Sequence, residues 1–168
     1  MRTKMCTVSL LVGIILALDQ ATKALVSHTL ALHESVPVIE SFFQLTYERN
    51  TGAAFSLFAQ TPAWFRQPFF LITTGVAVVA LIVFLRQTEG TNRLVVAAIA
   101  AVLGGAVGNL VDRIRYGEVT DFLLFHWHGY YWPAFNVADS CITLGVLGLL
   151  WSSLRENRPK GKDGLFAS

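Results

Sequence analysis

Three aspartates, Asp112, Asp121 and Asp139, stand where apolar sequence gives way to polar in the run GGAVGNLVDRIRYGEVTDFLLFHWHGYYWPAFNVADS, from Gly104 to Ser140. Ionisable groups beside or within long apolar runs are costly, which makes function their default reading. Two carboxylates held close together share one proton, leaving one as a base and the other as an acid. Such a pair can take a proton from water as it attacks a peptide carbonyl, then protonate the carbonyl oxygen and the departing amine. Asp139 lies in the first turns of an apolar run, and Asp121 lies in the preceding loop, which can fold back to meet it. Asp112 competes for the same role, but its neighbour Arg113 would keep it ionised in a structural ion pair. Asn50, Asn109 and Asn136 are uncharged donors and acceptors suited to orienting these groups or a substrate backbone. Gly52 ends the turn signal Asn50-Thr51-Gly52 and would let backbone approach a ligand closely.

The elements that must position these groups are read from the apolar runs. The chain has 168 residues, 54% hydrophobic and 14% charged, against roughly 25% charged in an average soluble protein. This composition indicates an integral membrane protein with a single membrane domain. The net charge of +2 gives no support to a nucleic-acid partner. Four spans are expected, at about 6–27, 67–85, 94–112 and 134–154. The first resembles a signal peptide, with Arg2 and Lys4 ahead of an apolar run, but the run resumes after Asp19-Gln20 without an A-x-A site. It is therefore read as a retained helix. Asp19 and Lys23 stand four apart, share a helical face and can pair, and the pair can position the neighbouring loop. Gly104 and Gly108 form a GxxxG pair that invites close helix packing, and Asp112 continues the spacing into that interface.

Between the spans, residues 28–66 and 113–133 are the outer segments, and 155–168 form a polar, basic tail. Phe42–Tyr47 is aromatic and β-branched without helical period and suits a short strand, so a small sheet-like platform at the membrane surface is expected. Pro62, Trp64, Phe65 and Arg66 have the character of an interfacial anchor. His126 and His128 lack a third ligand and read as interfacial aromatics, and Cys6 and Cys141 lack metal-ligand spacing. No metal or other cofactor is expected. Eight basic residues (Arg2, Lys4, Arg86, Arg93, Arg155, Arg158, Lys160, Lys162) fall on the side of both termini, against Arg49, Arg66, Arg113 and Arg115 on the other. That bias puts both termini in the cytoplasm and every candidate group from Asn50 to Asp139 at the outer face. Carboxylates at an outer membrane face also suit a proton-coupled transporter, although the small size, the lack of inverted repeats and the clustering at one face weigh against it. A non-catalytic anchoring subunit would not need so many polar groups at apolar boundaries.

Five runs occur in order: DQATK (Asp19–Lys23), NTGAAFS (Asn50–Ser56), GGAVGNLVDR (Gly104–Arg113), EVTDF (Glu118–Phe122) and FNVADS (Phe135–Ser140). Together they closely resemble the motif set of the lipoprotein signal peptidases, or signal peptidase II, across about residues 8–154. The resemblance implies four transmembrane helices with a small extracytoplasmic β-cradle and an interfacial helix. It implies an aspartic endopeptidase of the bacterial cytoplasmic (inner) membrane that removes the signal peptide from diacylglyceryl-modified prolipoproteins, cutting before the lipidated cysteine. The family's dyad matches Asp121 and Asp139; Thr120 stands where many members carry valine, which leaves the dyad in place. Its asparagines match Asn50, Asn109 and Asn136, and its supporting charged residues match Asp19, Lys23, Asp112 and Arg113. Such enzymes need neither metal nor nucleotide, meet their substrate in membrane lipid and are inhibited by the cyclic peptide globomycin. The enzyme is expected to act as a monomer.

Overall fold

The computed structural model describes residues 2–52, 58, 60–88 and 92–156. In chain order these form α1 (Arg2–Thr29), β1 (Ser35–Ile39), β2 (Phe43–Asn50), α2 (Ala63–Gln87), α3 (Arg93–Tyr116), β3 (Val119–Trp127), β4 (Tyr130–Tyr131) and α4 (Val137–Glu156). All four helices are long and apolar enough to cross a membrane. Helices suit that setting because each satisfies its own backbone polar groups without water. The tail beyond residue 156 and the whole AAFS segment of the second motif lie outside the described residues.

Helix α3 is the central element, packed against α1, α2 and α4. At the end near the N-terminus, Val8, Leu85, Val95, Val96, Ile99, Ala100 and Leu103 form a buried apolar cluster. The termini of α3 follow from its flanking residues. The Asn92 side chain accepts from the Val95 N–H at the start, and Gly117, at φ 74°, closes the other end with its N–H on the Arg113 carbonyl. Along α3 the small residues decide how near its neighbours come. A Cβ on Gly104 would lie 2.9 Å from the Ile15 side chain of α1, and one on Gly108 would lie 2.6 Å from Asp19 Oδ2. Gly105 packs in the same way against the Ala138 carbonyl at the start of α4. The glycines let α1 and α4 approach on two sides of α3 just below the three aspartates. Gly108→Ala is expected to force α1 outward and destabilise the protein by about 1–3 kcal/mol, the usual range for overpacking, checked by thermal unfolding in detergent.

The strands form one antiparallel sheet in the order β1-β2-β3-β4. Between β2 and β3 the register shifts by one residue, from Leu45↔Leu123 to Glu48↔Asp121 and Asn50↔Val119. This bulge lies beside Asp121, where bulges commonly re-aim a side chain. The other side of β3 holds Phe135: the Leu123 N–H donates to its carbonyl at 2.8 Å, and its own N–H donates to Leu123 O at 3.0 Å. The start of α4 is thereby tied to the strand that carries Asp121.

Three expectations need correction. Residues 113–133 are not one loop: Arg113 belongs to the last turns of α3, and Asp121 sits on β3. Backbone pairing with β2, whose residues stand 69 to 82 positions earlier than their partners, makes this strand. The second span begins at Ala63 and not at 67, so the anchor residues Trp64, Phe65 and Arg66 are the first turn of α2; residues 53–57 and 59, where an interfacial helix ahead of it would fall, lie outside the described residues. The strand expected at Phe42–Tyr47 runs on to Asn50 because β3 continues to supply partners.

Candidate active site

The two ends of the site are built by local sequence. Asn136 precedes α4, and its Oδ1 accepts from the Asp139 N–H at 2.9 Å, while Asp139 Oδ2 accepts from the Asn136 N–H at 3.3 Å. This reciprocal cap is the reason for the Asn-x-x-Asp spacing, since it satisfies two donors that a helix start leaves free. It also holds the Asp139 carboxylate at the start of α4. Asn136 is fully buried, and its Nδ2 reaches three acceptors: Asp121 Oδ1 at 2.7 Å, Thr120 O at 3.1 Å and Asn109 Oδ1 at 3.2 Å. One amide thus caps the helix and links the surroundings of both carboxylates.

Asp121 receives a second donor from Asn50 Nδ2 at 2.9 Å on Oδ2, and Asn50 Oδ1 in turn accepts from the Gly52 N–H at 2.9 Å. Asp139 receives Asn109 Nδ2 at 2.7 Å on Oδ1. Asp121 and Asp139 line one cavity of about 540 Å³. Asn50, Gly52, Asn109 and Arg113 complete its polar side, and Val119, Trp132, Pro133, Ala134, Phe135, Ile142 and Leu144 form its apolar walls. Burial pushes Asp121 up from the ordinary carboxylate range to about 7; the nearby Asp139 charge adds to the rise, and the amide donors Asn50 and Asn136 oppose it. Asp121 therefore holds a proton close to neutral pH, and Asp139 stands across the same cavity at the start of α4.

Beneath the cavity lies a buried polar cluster that joins three helices. Lys23 Nζ contacts Asp19 Oδ2 at 2.8 Å, Asp112 Oδ2 at 3.1 Å and Asn109 Oδ1 at 2.9 Å. Asp19 Oδ1 accepts from the Ala138 N–H at 2.9 Å, so the helical pair expected from the i, i+4 spacing also anchors the first turn of α4. Asp112 does not pair with Arg113. It takes Lys23, the Gln20 side chain at 2.9 Å and the Thr120 N–H at 3.1 Å. Adjacent helical residues point about 100° apart, so Asp112 faces α1 while Arg113 faces the cavity. The Arg113 guanidinium donates to Gly52 O at 3.0 Å and lies 4.1 Å from the Phe70 ring centre, joining the Asn50–Gly52 turn to α2. Asp112 lines no part of the cavity and is occupied on both oxygens.

Of the residues singled out in sequence, Asn50, Gly52, Asn109, Arg113, Asp121 and Asp139 line the cavity together. Asn136, Asp112, Asp19 and Lys23 hold those residues from behind. Gln20, to which spacing along the chain gives no role, reaches Asp19, Asp112 and the Gly108 carbonyl at 3.2, 2.9 and 3.3 Å. An amide between two charged residues in an apolar run was the signal for it. His126 pairs with Gln44 at 2.9 Å and stacks on Tyr131, on a part of the sheet that does not line this cavity.

The comparisons agree with this architecture. The family model described as signal peptidase (SPase) II matches residues 11–155. The chain is 52% identical over 147 residues to the lipoprotein signal peptidase of Syntrophotalea carbinolica, covering 88% of this chain and 90% of that one. It is 44% identical over 155 residues to the lipoprotein signal peptidase of Geobacter metallireducens, covering 92% and 94% respectively. A solved structure described as a bacterial membrane enzyme superposes with a TM-score of 0.84 at 32% identity, over 95% of this chain and 94% of that one. With the match spanning all four helices and the sheet between them, the chain belongs to the signal peptidase II family, a family of membrane proteases.

Proposed function

We propose that this chain is an intramembrane aspartic endopeptidase that cuts diacylglyceryl-modified prolipoproteins before the lipidated cysteine, with Asp121 and Asp139 as its catalytic pair. The observation that carries the reading is that these two carboxylates line one cavity and are both held by Asn136, Asp121 by its side-chain amide and Asp139 by its backbone N–H. In this reading Asp139 is the ionised member of the pair and draws a proton from water as the water attacks the scissile carbonyl. Asp121 gives its proton to the carbonyl oxygen; as the C–N bond breaks, the proton gained by Asp139 goes to the leaving amine and Asp121 takes back a hydroxyl proton from the collapsing gem-diol, which restores both groups. Asn50 and Asn136 orient Asp121, and Asn109 orients Asp139. Gly52 and Arg113 stand at the cavity edge, suited to bind substrate backbone. Asp19, Lys23 and Asp112 keep the three helices in register beneath the pair.

The basic-residue bias supports both termini in the cytoplasm and the cavity at the outer face of the inner membrane. A diacylglyceryl group would hold the substrate in the bilayer and deliver its scissile bond at a fixed depth. We further propose that the enzyme works as a monomer and that globomycin competes for the same cavity.

The test is cleavage of a diacylated prolipoprotein peptide by the purified protein in detergent, with the product's new N-terminus read by mass spectrometry. Cleavage before the modified cysteine, unaffected by EDTA and blocked by globomycin, is expected. Strong inhibition by EDTA would move the chemistry away from a carboxylate pair. Carboxylate-dependent proton flux in liposomes without peptide cleavage would favour a transporter instead. The pH profile carries a separate prediction. Asp121 must be protonated to act as acid, and its proton is held to about pH 7. As pH rises above that value, kcat/KM should fall roughly tenfold per unit; a rate still rising through pH 9 would contradict the assignment of Asp121 as the acid.

A further inference from the structure

The cavity extends beyond the carboxylate pair along α4, past Ser140 to Ile142, Thr143 and Leu144. Thr143 follows Asp139 by one helical turn, which places it about 6 Å further into the span on the same face. Leu144 is 67% exposed yet lines the cavity, so this end opens sideways onto the lipid-facing surface of the helix bundle. The polar groups of Asn50, Asn109, Arg113, Asp121, Asp139 and Ser140 all hydrogen-bond within the protein. The Thr143 hydroxyl has no hydrogen-bond partner among the described residues. Threonines in spans commonly satisfy the hydroxyl on the carbonyl one turn back. Here Thr22, Thr29 and Thr73 do so at 2.8, 2.8 and 2.7 Å. Thr74 also lacks such a bond, but it does not line the cavity.

We propose that the Thr143 hydroxyl donates a hydrogen bond to a carbonyl oxygen of the bound substrate, one helical turn inward from the scissile bond, and is a specificity-determining residue. This rests on the endopeptidase reading above. A substrate entering from the bilayer brings carbonyl oxygens that lose water as they enter an apolar-walled cleft, and an unpaired one is costly there. Two parts of such a substrate present this chemistry at that depth: the extended backbone of the signal peptide next to the cut, and the ester groups of the diacylglyceryl moiety. A donor on the wall recovers the bond for either, and it discriminates against substrates with no acceptor at that place.

The experiment compares Thr143→Val, which removes the hydroxyl at nearly constant shape, with Thr143→Ser, which keeps it. Each is assayed on a diacylated prolipoprotein peptide and on the same peptide carrying ether-linked chains, which lack ester carbonyls. On the diacylated substrate, Thr143→Val should raise KM and lower kcat/KM about tenfold, as for a single lost hydrogen bond. Thr143→Ser should stay within about twofold of wild type, a rescue that a purely structural role does not give. If the acceptor is an ester, the deficit disappears with the ether-linked substrate; if it is the peptide backbone, the deficit persists on both. Equal kcat/KM for wild type and Thr143→Val on both substrates would overturn the proposal, as would a fall confined to kcat. Should Thr143→Val not fold, Thr143→Ala carries the same comparison. Failure of the wild type to cleave the diacylated peptide would overturn the endopeptidase reading, and this inference with it.

Discussion

Asp121→Asn and Asp139→Asn should each lower the rate of prolipoprotein cleavage by at least about 10³-fold, within the range a positioned acid or base contributes, while leaving a folded protein. The amide keeps the shape of the carboxylate but neither holds negative charge nor gives up a proton at neutral pH. In Asp121→Asn the carboxamide oxygen can still accept from Asn50 or Asn136, which meet the two oxygens at 2.9 and 2.7 Å. One of those bonds is lost, at a cost on the order of 1–2 kcal/mol, partly offset because a buried ionisable group is removed. In Asp139→Asn the side-chain oxygen can still take Asn109 or close the cap with Asn136. Both variants should therefore unfold within a few degrees of wild type, and the double variant should be no slower than either single one, because the pair acts as a unit. Full activity in either variant, measured alongside its unfolding curve, would remove that residue from the mechanism.

Lys23→Met should give the largest loss of stability. Lys23 is 4% exposed and is the cation shared by Asp19 and Asp112, which are 0% and 1% exposed. Removing it leaves two carboxylates buried without their cation, a change that typically costs about 3–5 kcal/mol. The ammonium meets Asp19, Asp112 and Asn109 at 2.8, 3.1 and 2.9 Å, three acceptors around one point charge. A planar guanidinium does not fit that arrangement, so Lys23→Arg should rescue little. The expected result is a lower yield of folded protein in detergent and a lower unfolding temperature, with activity lost in step with the folded fraction. A Lys23→Met protein as stable as wild type would show that the cluster is not what holds α1 against α3. Asp112→Asn belongs to the same test, with a loss dominated by stability; a well-folded but inactive Asp112→Asn protein would bring Asp112 back as a catalytic candidate.

What could be read without coordinates is whatever depends on short spacing along the chain. The four apolar runs require helices because only a helix of that length satisfies its own backbone in lipid. Asp19 and Lys23 must share a face at i, i+4, and Gly104 and Gly108 must present a flat one. Family motifs extended this to the residues around the cavity, because the five runs carry nearly all of its polar wall.

Three-dimensional packing decided which distant partners those faces meet. Asp112 pairs with Lys23 of α1 and not with the neighbouring Arg113, because consecutive helical residues diverge and the glycines of α3 bring α1 within reach. Gln20 found its place for the same reason. Asp121 looked like a loop residue because a strand exists only through its partner, and β2 lies far away in the chain with a bulge that no local pattern announces. The Asn136 cap is written in the Asn-x-x-Asp spacing, yet its reach to Asp121 and Asn109 depends on β3 and α3 arriving at the start of α4. Spacing along one element follows from covalent geometry; contact between elements follows from how their surfaces fill space, and so only the folded chain could show it.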